Sequence, residues 1–128
     1  MILVDTSVWV SVLRSPGSPE APIMAGLLDA DEVGLAVPVR VELLSGVSPR
    51  DLAALKRALS ALPLLYPTDD TWRLLDAWTE KAAKAGQHFG VGDLLIGALA
   101  AEAGALVWSL DGDFARMEKL KLVECYEP

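Results

Sequence analysis

The chain has 128 residues, 52% of them hydrophobic, with eleven Lys and Arg against eighteen Asp and Glu for a formal net charge of −7. At about 0.85 of an average domain length, and with apolar side chains enough for a sizeable core, it reads as one folded domain, residues 1–128, and not as a disordered chain. The negative balance excludes a polycation that grips nucleic acid through bulk charge, and a single cysteine and a single histidine exclude an internal disulfide and a structural zinc site.

The N-terminal Met-Ile-Leu-Val-Asp lacks the positive start and cleavage site of a secretory signal. Ile2-Leu3-Val4, apolar at every position, suits a strand covered on both faces, as in a parallel sheet. Ser15 to Pro22, with three prolines and a glycine, reads as a mobile loop after a first helix. Leu35-Ala36-Val37 is a second strand, followed by a crossover that carries Glu42. Ser48-Pro49-Arg50-Asp51 combines an N-cap, a first-turn proline and an early acid, and it opens a helix whose Leu52, Leu55, Leu59 and Leu62 recur at helical spacing. Leu64-Leu65-Tyr66 is a third strand. Thr68-Asp69-Asp70 then starts a helix with Lys81 and Lys84 near its far end and Gly86 as a stop. Another helix runs from Asp93 to about Ala103, closed by Gly104; Ala105 to Leu110 and Leu122 to Tyr126 complete five strands. Strands alternating with helices predict an α/β domain with a mainly parallel sheet of about five strands. The longest apolar stretch, Leu94 to Trp108, is interrupted by Glu102 and is shorter than the roughly 20 residues a membrane span needs, so a cytoplasmic protein without membrane attachment is expected.

Most acids sit in polar surroundings or in helix first turns, but four do not. Asp5 ends the first strand, Asp111 ends the strand Ala105 to Leu110, Asp93 starts an apolar helix, and Glu42 lies among Val41, Leu43 and Leu44; Asp113 is a possible fifth. Ligands of open α/β sheets bind beyond the carboxyl ends of the strands, where Asp5 and Asp111 fall. Carboxylates about 4 Å apart repel by on the order of 4 kcal/mol at an effective dielectric near 20, so a converging set needs a cation. Oxygen-only ligands of high charge suit Mg²⁺ or Mn²⁺, and the chemistry that follows is metal-assisted phosphodiester hydrolysis by an activated water. The competing reading is of solvated strand-end acids that cap helices, with Arg40 and Arg116 as ion-pair partners.

Asp5-Thr6-Ser7, Glu42-Leu43-Leu44-Ser45-Gly46, Gly92-Asp93-Leu94-Leu95-Ile96 and Ser109-Leu110-Asp111-Gly112-Asp113-Phe114 together resemble the four signature blocks of the PIN-domain family, in the family's order and over nearly the whole chain. The short length is similar to that of the VapC-like toxins of toxin-antitoxin pairs. The resemblance implies an α/β fold and a Mg²⁺- or Mn²⁺-dependent endoribonuclease, usually a homodimer and usually held inactive by a protein antitoxin. It carries over Asp5, Glu42, Asp93 and Asp111 as the catalytic, metal-binding acids and Asp113 as a less regular fifth ligand. Ser7 and Ser109 match hydroxyl positions that support the acids or nearby water; the alternative is an N-cap for the first helix and a strand-end hydrogen bond. The acidic balance departs from what RNA binding favours, leaving Arg14, Arg40, Lys84 and Arg116 as a local basic rim.

Two rivals stand beside this reading. One is a binding module that keeps the fold but no longer cuts, serving in an RNA or protein complex. The other is an aspartate phosphotransfer domain of the receiver type, which wants adjacent acids after the first strand and a lysine after a late one; here Thr6 follows Asp5, and no lysine appears until Lys119. Trp9, Trp72 and Trp78 read as core, with Trp72 and Trp78 also candidates for a second subunit, His88 as a surface residue and Cys125 as an inert core thiol.

Overall fold

A computed structural model describes residues 1–128. Four parallel strands, β1 (Ile2–Val4), β2 (Val33–Ala36), β3 (Leu64–Leu65) and β4 (Leu106–Trp108), form a sheet in the order β3-β2-β1-β4. β1 and β2 are buried at every position, so helices cover both faces of the sheet, as the uninterrupted apolar runs predict. The fifth expected strand, Leu122 to Tyr126, is not one. The chain there meets β4 only through a single bridge between Val107 and Cys125, and exposed Glu124 interrupts the apolar run.

Seven helices surround the sheet: α1 (Thr6–Arg14), α2 (Glu20–Asp29), α3 (Val37–Ser45), α4 (Pro49–Leu59), α5 (Asp69–Lys84), α6 (Val91–Ala103) and α7 (Gly112–Lys119). The loop expected over Ser15 to Pro22 is shorter than its prolines suggest, because α2 already begins at Glu20. Pro22 sits in the first turn of that helix, where a proline removes no intrahelical bond. Val37 likewise opens α3 instead of ending β2. α4 starts after Ser48 as predicted, although the Ser48 hydroxyl donates to the Asp51 carboxylate and accepts from no N–H of the helix's first turn. α5 is held at its start by a capping box between Thr68 and Thr71, and α6 stops at Gly104, which takes the left-handed conformation (φ 63°).

α6 is the centre of the molecule. Every residue from Leu94 to Ala100 is buried, and the helix packs on β1, β4, α3, α5 and α7, so apolar positions all round it are satisfied. The close approach of α5 and α7 depends on Gly97, where an added Cβ would lie 3.1 Å from Val123 Cγ1 and 3.2 Å from Met117 Sδ and Trp78 Cζ3. Trp9 and Trp78 are buried as expected, whereas Trp72 is 48% exposed and His88 lies on the surface. No helix is long and apolar enough to cross a membrane.

Gly97→Val therefore should destabilise the fold by about 2 kcal/mol or more in urea unfolding, because overpacking outweighs any gain in helix propensity. Gly26→Ala, at an exposed position of α2 with nothing within 4 Å of the new methyl, should stabilise it by up to about 1 kcal/mol. Equal effects of the two would show that packing around α6 is loose.

Candidate metal centre

The register of the sheet starts the site. Val4 pairs with Trp108, and the next amide, Asp5 N–H, donates to the Trp108 carbonyl at 2.8 Å, so Asp5 lies beside Ser109 at the carboxyl ends of the two central strands. Asp5 is 6% exposed and serves as N-cap of α1, accepting from Ser7 N–H at 3.4 Å. Its Oδ2 also accepts from the Ser7 hydroxyl at 2.7 Å and the Ser109 hydroxyl at 2.8 Å. Each hydroxyl has one proton, spent on Asp5, so each offers only lone pairs elsewhere. Ser7 Oγ accepts from Leu110 N–H at 3.0 Å and Ser109 Oγ from Asp111 N–H at 2.9 Å. Ser7 is thus not the helix cap that the alternative sequence reading assigned to it. With Ser109 it locks one oxygen of Asp5 and orders the strand end that leads to Asp111.

Asp111 is exposed and caps α7, its Oδ1 accepting from Asp113 N–H at 3.0 Å. Asp93 stands in the first turn of α6 and Asp113 in the first turn of α7. Ligand oxygens of Asp93, Asp111 and Asp113 all lie within 4.8 Å of one another. Asp5 and Glu42 are outside that tight group but border it. Asp5 is close enough for its charge to act on Asp93, and exposed Glu42 on α3 brings Oε1 to 3.9 Å from where a Cβ on Gly92 would stand. The capping role of strand-end acids and their convergence on one site hold together: Asp5 and Asp111 do both.

Burial pushes the Asp93 carboxyl up to about 7, helped by its hydrogen bond to Asp113 and the negative charges of Asp5, Asp113 and Asp111. Asp113 is held below the usual carboxylate range by accepting that hydrogen bond and by its ion pair with Arg116. Arg116 is the one guanidinium bound to the cluster; Arg40 makes no ion pair, and Lys84, expected on the basic rim, pairs with Glu80 at 3.6 Å. Arg116 also donates to Gln87 Oε1 at 2.5 Å and lies over the Phe89 ring at 4.8 Å. Gln87 and Phe89 escaped sequence reasoning, since nothing local marks a turn residue as the partner of a side chain 29 positions away. Cys125, expected in the core, is only half-buried at its edge, and burial together with Glu118 raises its thiol.

The residues fit a divalent ion of the hard class. The donor set is oxygen only, Asp5 Oδ1 and Asp111 Oδ2 have no protein partner, and no lysine ammonium neutralises the group.

Residues 2–120 match the PIN domain family, to which the chain belongs. Within it the sequence is similar to VapC ribonucleases: it is 34% identical over 119 residues to ribonuclease VapC11 of Mycobacterium tuberculosis, covering 89% of each chain, and equally similar to VapC ribonuclease Mb1587 of Mycobacterium bovis. Among solved structures it superposes on VapBC2 from Rickettsia felis, bound to a promoter DNA fragment, with a TM-score of 0.81 at 17% identity over 98% of both chains. It superposes on VapBC-5 of Mycobacterium tuberculosis, a member of the VapBC family of toxin-antitoxin systems, with a TM-score of 0.67 at 26% identity over 98% and 97%.

Two outcomes test the site. Removing either serine hydroxyl leaves Asp5 and a backbone N–H each short of a partner, so Ser7→Ala and Ser109→Ala should each cost on the order of 1–3 kcal/mol in urea unfolding. Losses below about 0.5 kcal/mol would mean that water replaces them. Because the native Asp93 carboxyl binds its proton more tightly than an unfolded one, the metal-free protein should lose stability as pH rises from about 4 to about 7. The lowered Asp113 acts only below that window. In EDTA, Asp93→Asn should flatten the fall in melting temperature between pH 5 and pH 8; an unchanged slope contradicts the assignment.

Proposed function

We propose that this chain is a Mg²⁺- or Mn²⁺-dependent endoribonuclease, working as a single domain over residues 1–128, and the toxin of a toxin-antitoxin pair. The observation that carries the reading is the convergence of Asp93, Asp111 and Asp113 within 4.8 Å, flanked by Asp5 and Glu42, on a chain of this family. The ribonuclease names of its relatives support the substrate class. Asp5, Glu42, Asp93 and Asp111 would hold the ion, with Asp113 beside them. When bound, the ion supplies the positive charge that draws a phosphodiester to this acidic edge and lowers the pKa of a bound water.

The chain's own part is positioning. Ser7 and Ser109 fix Asp5 so that one oxygen stays free, the α7 N-terminus fixes Asp111 in the same way, and Asp93 must surrender its proton before it can serve as a ligand. Of the four residues of the basic rim, Arg14 and Arg40 are left for RNA once Lys84 and Arg116 are engaged with acids. An open groove of about 560 Å³ between α1, α3 and α4, apolar along Val10, Leu13, Leu43 and Leu55 and reaching Glu42, offers a protein antitoxin a surface next to the acids. Exposed Trp72 and Val91, side by side, suit contact with a second copy in a homodimer.

Purified protein should degrade total RNA with Mn²⁺ and not with EDTA, and Asp93→Asn or Asp111→Asn should lower the rate on the order of 100-fold or more with the fold intact by circular dichroism. RNA left whole by the wild type with Mn²⁺ would overturn the nuclease reading in favour of a binding module.

A further inference from the structure

Arg116 makes three contacts that a surface ion pair does not need. Its Nη2 bonds Asp113 one turn earlier on α7, its Nη1 bonds Gln87 Oε1 at 2.5 Å, and its guanidinium carbon lies 4.8 Å from the centre of the buried Phe89 ring. The pair Arg73 and Asp70 on α5 has the same spacing along a helix, yet it is largely exposed and Arg73 reaches nothing beyond Asp70. An isolated pair of that kind is worth only a few tenths of a kcal/mol. Gln87 and Phe89 belong to the turn between α5 and α6, which leads through Gly90 into the first turn of α6 and Asp93. Asp113, at the other end of the guanidinium, brings a carboxylate oxygen within 4.8 Å of one on Asp93. The chain of contacts therefore closes a ring: turn, Arg116, Asp113, Asp93 and back along α6 to the turn. A planar fork bonds two acceptors while its face lies over a ring, a geometry that the tetrahedral ammonium of a lysine does not reproduce.

We propose that Arg116 is a positioning residue for the metal centre: by holding Asp113 and Gln87 at once it fixes α7 against the turn before α6, and so sets Asp113 and Asp111 against Asp93. This rests on the metal-binding reading above. Charge alone works against it, because a guanidinium beside the acids weakens their attraction for a divalent cation. The two roles therefore predict opposite signs. If Arg116 acts only through its charge, removing it tightens metal binding; if it acts through position, removing it loosens binding.

The test is titration of the full chain with Mn²⁺, read by the loss of the free-ion paramagnetic resonance signal, for wild type, Arg116→Met, Arg116→Lys and Gln87→Leu. Arg116→Met and Arg116→Lys should each weaken Mn²⁺ binding about tenfold, the loss typical of a residue that orients a ligand, and Gln87→Leu should weaken it by a smaller factor. Far-ultraviolet circular dichroism should be unchanged in all three. Mn²⁺ affinity equal to or tighter than wild type in Arg116→Met, or Arg116→Lys matching wild type, overturns the proposal. Should Arg116→Met fail to fold, Arg116→Lys and Gln87→Leu decide on the same criterion. A wild type that binds no Mn²⁺ overturns both this proposal and the nuclease reading, whereas a wild type that binds it as tightly as all three variants overturns this proposal alone.

Discussion

Carboxylate oxygens within 4.8 Å of one another repel by about 3 kcal/mol per ionised pair at an effective dielectric near 20, before solvent screens the more exposed Asp111. The architecture around the site exists to hold such groups together against that repulsion. Three devices do so in the absence of an ion: below about pH 7 a proton on Asp93, two serine hydroxyls on Asp5, and the guanidinium of Arg116 on Asp113. Each is a hydrogen bond to a carboxylate that a neutral isostere would not require, and each is anchored to a rigid element.

Those elements are placed by the apolar part of the sequence. α6, buried from Leu94 to Ala100, holds Asp93 in its first turn, and the pairing of β1 and β4 beneath it brings Asp5 beside Ser109. The acids are thus fixed by a core that spends no polar group on them. Stability and site are coupled through α6: a change at Gly97 that shifts α7 also shifts Asp111 and Asp113.

Much of this was legible in the chain of letters. The all-apolar runs at Ile2 to Val4 and Ala105 to Leu110 mark β1 and β4 because both of their faces are covered, and the caps at Thr68 and Gly104 mark helix ends because their backbone chemistry is local. Asp5, Glu42, Asp93 and Asp111 stood out as acids that solvation or a helix first turn did not readily explain, with Asp113 as a fifth candidate. What escaped was whatever depends on tertiary neighbours. Leu122 to Tyr126 has the composition of a strand but only one bridging residue, and Pro22 reads as loop although it sits in the first turn of α2, which accepts a proline. Arg116 was among the ion-pair partners the sequence offered the strand-end acids, but its pairing with Asp113 and its reach to Gln87 and Phe89 were not legible, because residues far apart along the chain meet there only after α7 docks on the turn before α6. Glu42 was grouped with the acids in sequence, and it stands at their border on α3, nearest Gly92.

The central claim is that the acidic edge is a strained arrangement which a divalent cation relieves. Thermal melting of the wild-type chain at pH 8, in EDTA and then in millimolar Mn²⁺, tests it most directly. An ion at a hundred times its dissociation constant adds about 2.7 kcal/mol, and each kcal/mol moves the midpoint of a chain this size by roughly 3–5 °C. The account predicts a rise of several degrees that disappears when Asp93 and Asp111 are both replaced by asparagine. A midpoint indifferent to Mn²⁺, or a rise that survives in the double variant, would contradict it.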